Sequence, residues 1–146
     1  MGLYYPQQHI KPLIGSKNST SFELLPATLT TGYDSKIITA DYMSQMVVYC
    51  QYTPGAGGNG NYPVMMLEFS PDGINWSQET VEVLVAGVTT MHNQVRHFNA
   101  STVALTTYKF RIAVPMADKY FKFSVKETVV GGSAGIFFSE ALISGK

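Results

Sequence analysis

The residue in this chain whose setting comes nearest to a catalytic motif is Ser133, in Gly131-Gly132-Ser133-Ala134-Gly135. The spacing G-x-S-x-G serves acyl transfer when a strained strand-to-helix turn lifts the serine hydroxyl and the helix start supplies the oxyanion hole. Here Ile136-Phe137-Phe138-Ser139 follows, an apolar run that reads as a strand, so the glycines are read as a turn and no hydrolase is expected. A second glycine-rich stretch, Pro54-Gly55-Ala56-Gly57-Gly58-Asn59-Gly60-Asn61, lacks the Gly-Lys-Ser/Thr ending that would hold phosphate and magnesium, and is expected to be an exposed, mobile loop. His92 and His97 are an odd number of positions apart, which turns them to opposite faces of a strand, and His9 is remote in sequence. With one cysteine and no neighbouring carboxylate cluster they suggest no zinc set. Glu68, Asp72, Glu79 and Glu82 could in principle supply the paired carboxylates of glycoside hydrolysis. Asp72-Gly73 is a turn dipeptide, however, and the run reads as an acidic strand edge and turn without the ligand spacing of a calcium loop. Cys50 lies inside Met46-Val47-Val48-Tyr49-Cys50 and reads as a small core residue. No catalytic, cofactor-binding or metal-binding residue is assigned, and the protein is expected not to be an enzyme.

The elements that would position any site are strands. Thr107–Val114 places Tyr108, Phe110, Ile112 and Val114 on one face and Thr107, Lys109, Arg111 and Ala113 on the other. Lys119–Val129 places Phe121, Phe123 and Val125 inward against Lys122, Ser124 and Lys126. Such period-two alternation belongs to half-buried strands. Met43–Thr53 is apolar on both faces, as a central strand covered twice would be. Val64–Ser70 follows, and Phe22–Leu25, Ile37–Ala40, Thr80–Val85, Gln94–Ala100 and Ile136–Leu142 are weaker candidates. Pro115–Asp118 reads as a turn, and Gly131–Gly135 as a hairpin turn between the last two strands. No stretch carries helical periodicity. The expectation is an all-β chain: a single antiparallel, jelly-roll-like β-sandwich over residues 19–146. Residues 1–18, apolar but aperiodic, are expected to form an extended N-terminal arm.

Composition limits the function. The 146 residues are 45% apolar and only 14% charged, with ten basic residues cancelling ten acidic ones. A disordered chain is excluded, and phosphate-neutralising nucleic-acid binding is not expected. The N-terminus has neither a basic region nor an apolar core of the signal-peptide kind, and no run approaches a membrane span. A weakly charged, neutral surface repels its own copies poorly, so self-association is expected. The neutrality hides an acidic stretch (Glu68, Asp72, Glu79, Glu82) and a basic one (Lys109, Arg111, Lys119, Lys122, Lys126). These could pair across strands within one sheet or form a complementary contact between molecules.

A strand ending in Leu67-Glu68-Phe69-Ser70-Pro71-Asp72-Gly73-Ile74-Asn75-Trp76, then Tyr108-x-Phe110-x-Ile112 running to Pro115, then Lys119-Tyr120-Phe121-Lys122-Phe123 and a glycine turn before the last strand form a series. Over Thr39–Leu142 that series resembles small β-sandwich proteins encoded among the structural genes of tailed bacteriophages. The resemblance implies a virion structural protein, such as a capsid decoration (cement) protein or a neck or tail accessory. Its implied partners are its own copies and a major capsid or neck/tail protein, and it transfers no catalytic residue. The arm lies outside the pattern; Tyr4, Tyr5, Ile10, Leu13 and Ile14 are its candidate intersubunit contacts. Asp-Gly-x-x-Trp also occurs in carbohydrate-binding and adhesion sandwiches. The alternative is therefore a glycan- or receptor-binding module of the tail-fibre type, with Tyr52, Tyr62 and Trp76 as an aromatic platform.

Overall fold

Alternating burial organises the strands of the computed structural model, which describes residues 7–14, 27–28, 33–35, 37–39, 43–115 and 118–145. The strands are β1 (Gln7–Ile14), β2 (Ala27–Thr28), β3 (Tyr33–Asp34), β4 (Ile38–Thr39), β5 (Met43–Thr53), β6 (Tyr62–Ser70) and β7 (Ser77–Gln78). They continue with β8 (Thr80–Val85), β9 (Val88–Asn93), β10 (Arg96–His97), β11 (Tyr108–Pro115), β12 (Tyr120–Thr128) and β13 (Ile136–Gly145). One sheet runs β1-β13-β5-β11, with β2 also on β13; a second runs β10-β6-β12-β3, with β4 on β12 and β7 on β6. Their pairings are antiparallel. Both sheets contribute to one core: Met46, Val48, Cys50, Tyr52, Phe137, Ala141 and Ile143 from the first, Met65, Leu67, Phe121, Phe123 and Val125 from the second. The architecture is all-β and sandwich-like, with Phe123 and Phe137 stacked across the middle at 6.5 Å between ring centroids.

Three expectations are corrected. The β5 strand has the predicted bounds and a central position, but only its Met46, Val48, Cys50 and Tyr52 face is buried; Gln45, Tyr49 and Gln51 face outward and are exposed. A run of apolar residues reflected one core face plus an uncovered tyrosine, not two covered faces. Within the span expected as an arm, Gln7–Ile14 is an edge strand of the chain's own sheet, paired with β13. Leu13 is buried in the core and Ile10, partly buried, packs against it; Ile14 pairs with Ser139 through its backbone. Tyr4 and Tyr5, like the Phe22–Leu25 candidate, lie outside the described residues. Lastly, Gly131–Gly135 is not a hairpin turn, because β12 and β13 belong to different sheets. It crosses the end of the sandwich, as Pro54–Asn61 does between β5 and β6.

These two crossings, the first of them expected to be exposed and mobile, are tied together. Asn61 is fully buried; its Oδ1 accepts from the Val130 and Gly131 N–H groups (2.6 and 3.1 Å), and its Nδ2 donates to the Gly131 carbonyl (2.9 Å). The Ser133 N–H donates to the Ala56 carbonyl at 3.0 Å. A Cβ at Gly132, whose φ is +76°, would fall 2.2 Å from that same oxygen, so this close approach admits only glycine. The loop between β10 and β11 joins them: the Gly60 N–H donates to the Thr102 carbonyl and the Leu105 N–H to the Pro54 carbonyl. Replacing Asn61 by Ala strands a buried acceptor and two donors, and should lower the unfolding free energy by roughly 2–3 kcal/mol in urea titration. A loss under about 0.5 kcal/mol would show that the loops hold together without it.

Candidate functional site

Two surfaces of the described chain are left without an internal partner. The first is the β8–β9 hairpin. Strands β7 and β10 both pair with β6, Gln78 opposite Glu68 and Arg96 opposite Met65, yet residues 79–95 lie between them. That excursion is anchored at its base: the Glu79 N–H donates to the Leu67 carbonyl, the Gln94 N–H donates to the Glu79 carbonyl, and Arg96 forks both its terminal nitrogens onto the Glu79 carboxylate. Beyond the base, among the described residues β8 and β9 pair only with each other, and each of their residues is exposed. Val81, Val83, Val85, Val88 and Thr90 share one face; Glu82, Leu84, Thr89 and Met91 share the other. Leu84 is 72% exposed, Val88 64% and Met91 59%. An isolated two-stranded ribbon is marginal in water unless a face is packed, and both faces of this one are exposed.

Sequence reasoning found β8 but missed β9. The signal was the dipeptide Ala86-Gly87, whose φ values of +50° and +79° make the tight two-residue turn. Alanine is a poor occupant of a positive-φ position, so the dipeptide carried little weight beside Asn-Gly or Asp-Gly.

The second surface is a groove of about 400 Å³ on the outer face of the first sheet, lined by Tyr49, Gln51, Lys109, Arg111, Phe138 and Glu140. Strand register builds it in two rows. Arg111 and Glu140 flank Tyr49, and Lys109 and Phe138 flank Gln51. These are the outward partners of the core residues on β11, β5 and β13. Phe138 is only 8% exposed and forms an apolar wall, while Tyr49 is 41% exposed. Glu140 is held by His9, 3.1 Å away. Lys109 and Arg111 are exposed and form no ion pair among the described residues.

The acidic and basic stretches therefore do not form one complementary pair of patches. Lys122 pairs across strands with Glu68 at 3.7 Å and lies over the Trp76 ring at 4.3 Å, while Glu79 takes Arg96. Lys109 and Arg111 sit on the opposite sheet. Nor does the aromatic platform assemble. Tyr52 is fully buried and donates its phenol proton to Glu127 at 2.5 Å; burial and that carboxylate hold its pKa far above the usual tyrosine range. Tyr62 packs on His97 at one end of β6, and Trp76, half-buried beneath Lys122, lies beyond the other end. Ser133 is exposed in the crossing loop, with its hydroxyl 3.5 Å from the Ala56 carbonyl. The Cys50 thiol is pushed up to about 12 by burial, which leaves it protonated and unreactive at neutral pH. Among the described residues, no three His, Cys, Asp or Glu side chains gather as a cation site.

With that geometry in view, comparison with known proteins adds little. No protein-family model matches the chain, and no curated protein does. Among solved structures, the crystal structure of dimeric latent PorU from Porphyromonas gingivalis is similar at 11% identity and a TM-score of 0.48. The likeness covers 98% of this chain and 13% of PorU, so the chain spans only a small part of that protein's length.

The acidic turn at the foot of the excursion has a structural task. The Asp72 carboxylate accepts from the Asn75 and Ile74 N–H groups (both 2.8 Å), from Asn75 Nδ2 (2.7 Å) and from the Ser70 hydroxyl (2.9 Å), and these bonds hold its pKa well below the usual carboxylate range. Because the folded-state value is depressed, the unfolded chain binds the extra proton, and the contribution is complete above the ordinary value of 3.8 and fades as pH falls below it. Asp72→Ala should therefore lower Tm at pH 7, with the gap from wild type narrowing in acid. A gap that stays constant or widens below pH 3.8 would contradict this role.

Proposed function

We propose that this chain is a non-enzymatic structural protein of a tailed-phage particle, a capsid decoration (cement) or neck/tail accessory protein, located on the virion, that works by packing against its own copies and other virion proteins. The observation that carries the reading is the β8–β9 hairpin, an insertion between neighbouring strands that exposes Val81, Val83, Leu84, Val85, Val88 and Met91 together. Burying a Val, Leu or Met side chain contributes about 1.5–3 kcal/mol, so several of them, covered by a partner, offset a substantial part of the cost of association. Left in water, the same residues stabilise nothing, and contiguous exposed apolar surface of this kind marks interaction sites. The end carrying Val103, Leu105, Val129 and Val130, all exposed, adds apolar surface on loops that hydrogen bonds hold in place.

The strand orders β1-β13-β5-β11 and β3-β12-β6-β10 are those of two interleaved Greek keys, which supports a jelly roll, an architecture well represented in viral capsids. In that reading the hairpin is an insertion in one inter-strand connection of a rigid shell. The motif series resembling phage β-sandwich proteins supports the virion location.

Replacing residues 80–93 by an Asn-Gly turn leaves both sheets intact in this account. The variant should give an unchanged cooperative melt of the sandwich and a monomer in light scattering, whereas the full chain self-associates. Mass spectrometry of particles from a host expressing the chain should find it at a structural copy number. A monomeric full chain absent from particles would overturn the proposal.

A further inference from the structure

The hairpin and the groove complement each other. The Glu82, Leu84 and Met91 face of the hairpin presents one carboxylate between exposed apolar side chains, and Glu82 forms no hydrogen bond or ion pair among the described residues. The groove presents the reverse: two unpaired cations, Lys109 and Arg111, two positions apart on one face of β11, opposite an apolar wall formed by Phe138 and Tyr49. Outward residues two apart on a strand are separated by roughly 7 Å, so a single carboxylate can lie between both cations. The hairpin springs from beside β6 in one sheet, and the groove lies on the outer face of the other, so one molecule's hairpin is not placed over its own groove.

We infer that the Glu82–Leu84–Met91 face of one copy's hairpin seats in the Tyr49–Gln51–Lys109–Arg111–Phe138–Glu140 groove of a second copy. Leu84 lies against Phe138 and Tyr49, and Glu82 reaches Arg111 and Lys109. This inference rests on the assembly reading above and names its partner and contact. The charges fix register and partner choice, while the apolar side chains supply the driving force. Because hairpin and groove are different surfaces, two copies that exchange hairpins form an isologous pair, whereas a one-way contact is heterologous and builds a ring or an open chain.

The test uses the full chain and reads oligomeric state by sedimentation velocity, with circular dichroism to verify folding. Glu82→Lys and Arg111→Glu each place like charges in the contact and should weaken association by about tenfold or more. The double variant, Glu82→Lys with Arg111→Glu, restores opposite charges and should recover most of the loss. Mixing the two single variants should also restore opposite charges at both contacts of an exchanged pair, the native one and the reversed one, and yield a mixed pair. Single variants that associate as tightly as wild type, or a double variant weaker than either single, would overturn the seat while leaving assembly intact. A wild-type chain that stays monomeric throughout would overturn both.

Discussion

Everything in this molecule depends on alternation: in β5 and β12 every second side chain is buried and its neighbours are more exposed, and β6 and β13 follow the same rule except at 63–65 and 137–139, where consecutive residues are buried. Tyr52, Phe121, Phe123 and Phe137 are completely buried by that rule, and so are Val48 and Ile143. The same register places Tyr49, Gln51, Lys109, Arg111, Phe138 and Glu140 side by side on the opposite face, where Phe138 alone is buried. Core and groove are the two faces of one register. A slip of one residue in β5 against β11 or β13 would exchange them, exposing the core and burying charges. The groove therefore has the rigidity of the core beneath it, which a docking surface needs if it is to select its occupant.

The ends of the sandwich obey a second constraint. The partners in β5–β6 and in β12–β13 lie in different sheets, so the chain crosses over between them, and the crossings leave backbone groups that no strand satisfies. Asn61 answers this with a single side chain that pairs three backbone atoms of the opposite loop, and the glycines permit the approach. Glu127 plays the corresponding part farther in, accepting from the Tyr52 phenol and the Gly135 N–H. What read as flexible glycine linkers is a hydrogen-bonded joint. It gives the exposed valines and leucine at that end a fixed arrangement.

Much of the fold was legible in the sequence because alternation is a local property. Phe121-x-Phe123-x-Val125 and Tyr108-x-Phe110-x-Ile112 announce both the strand and its inward face, and β5 and β8 have the predicted bounds. What was hidden depends on which strand lies beside which. The outward face of β5 could not be told from a second buried face, since Val47 and Tyr49 are apolar in either case. The groove unites residues from three strands that are distant in sequence, and no spacing announces it. Tyr52 looked like a loop aromatic, being next to Thr53 and Pro54, but its even-numbered position puts it with Val48 and Cys50 in the core. Leu13 and Ile10 likewise showed no rhythm that would mark a strand, because Pro12 interrupts the segment and β1 is irregular between Ile10 and Ile14. The hairpin was half legible: its valines signalled a strand, and its Ala-Gly turn did not signal a return.

The neutral, charge-poor composition fits a part made for contact. Lys122 is matched with Glu68 and Arg96 with Glu79, while Glu82 on the hairpin and Lys109 and Arg111 in the groove form no ion pair among the described residues. Hydrogen exchange followed as a function of protein concentration tests most directly whether these are two halves of one contact. Amides of β8 and β9, exposed on both faces and paired only with each other, should gain protection as concentration rises. The outer-face strands β5 and β11 should gain it over the same range, while β6 and β12 stay constant. Exchange in the hairpin that remains fast at every concentration, or protection that rises there without any change at the groove, would contradict the account.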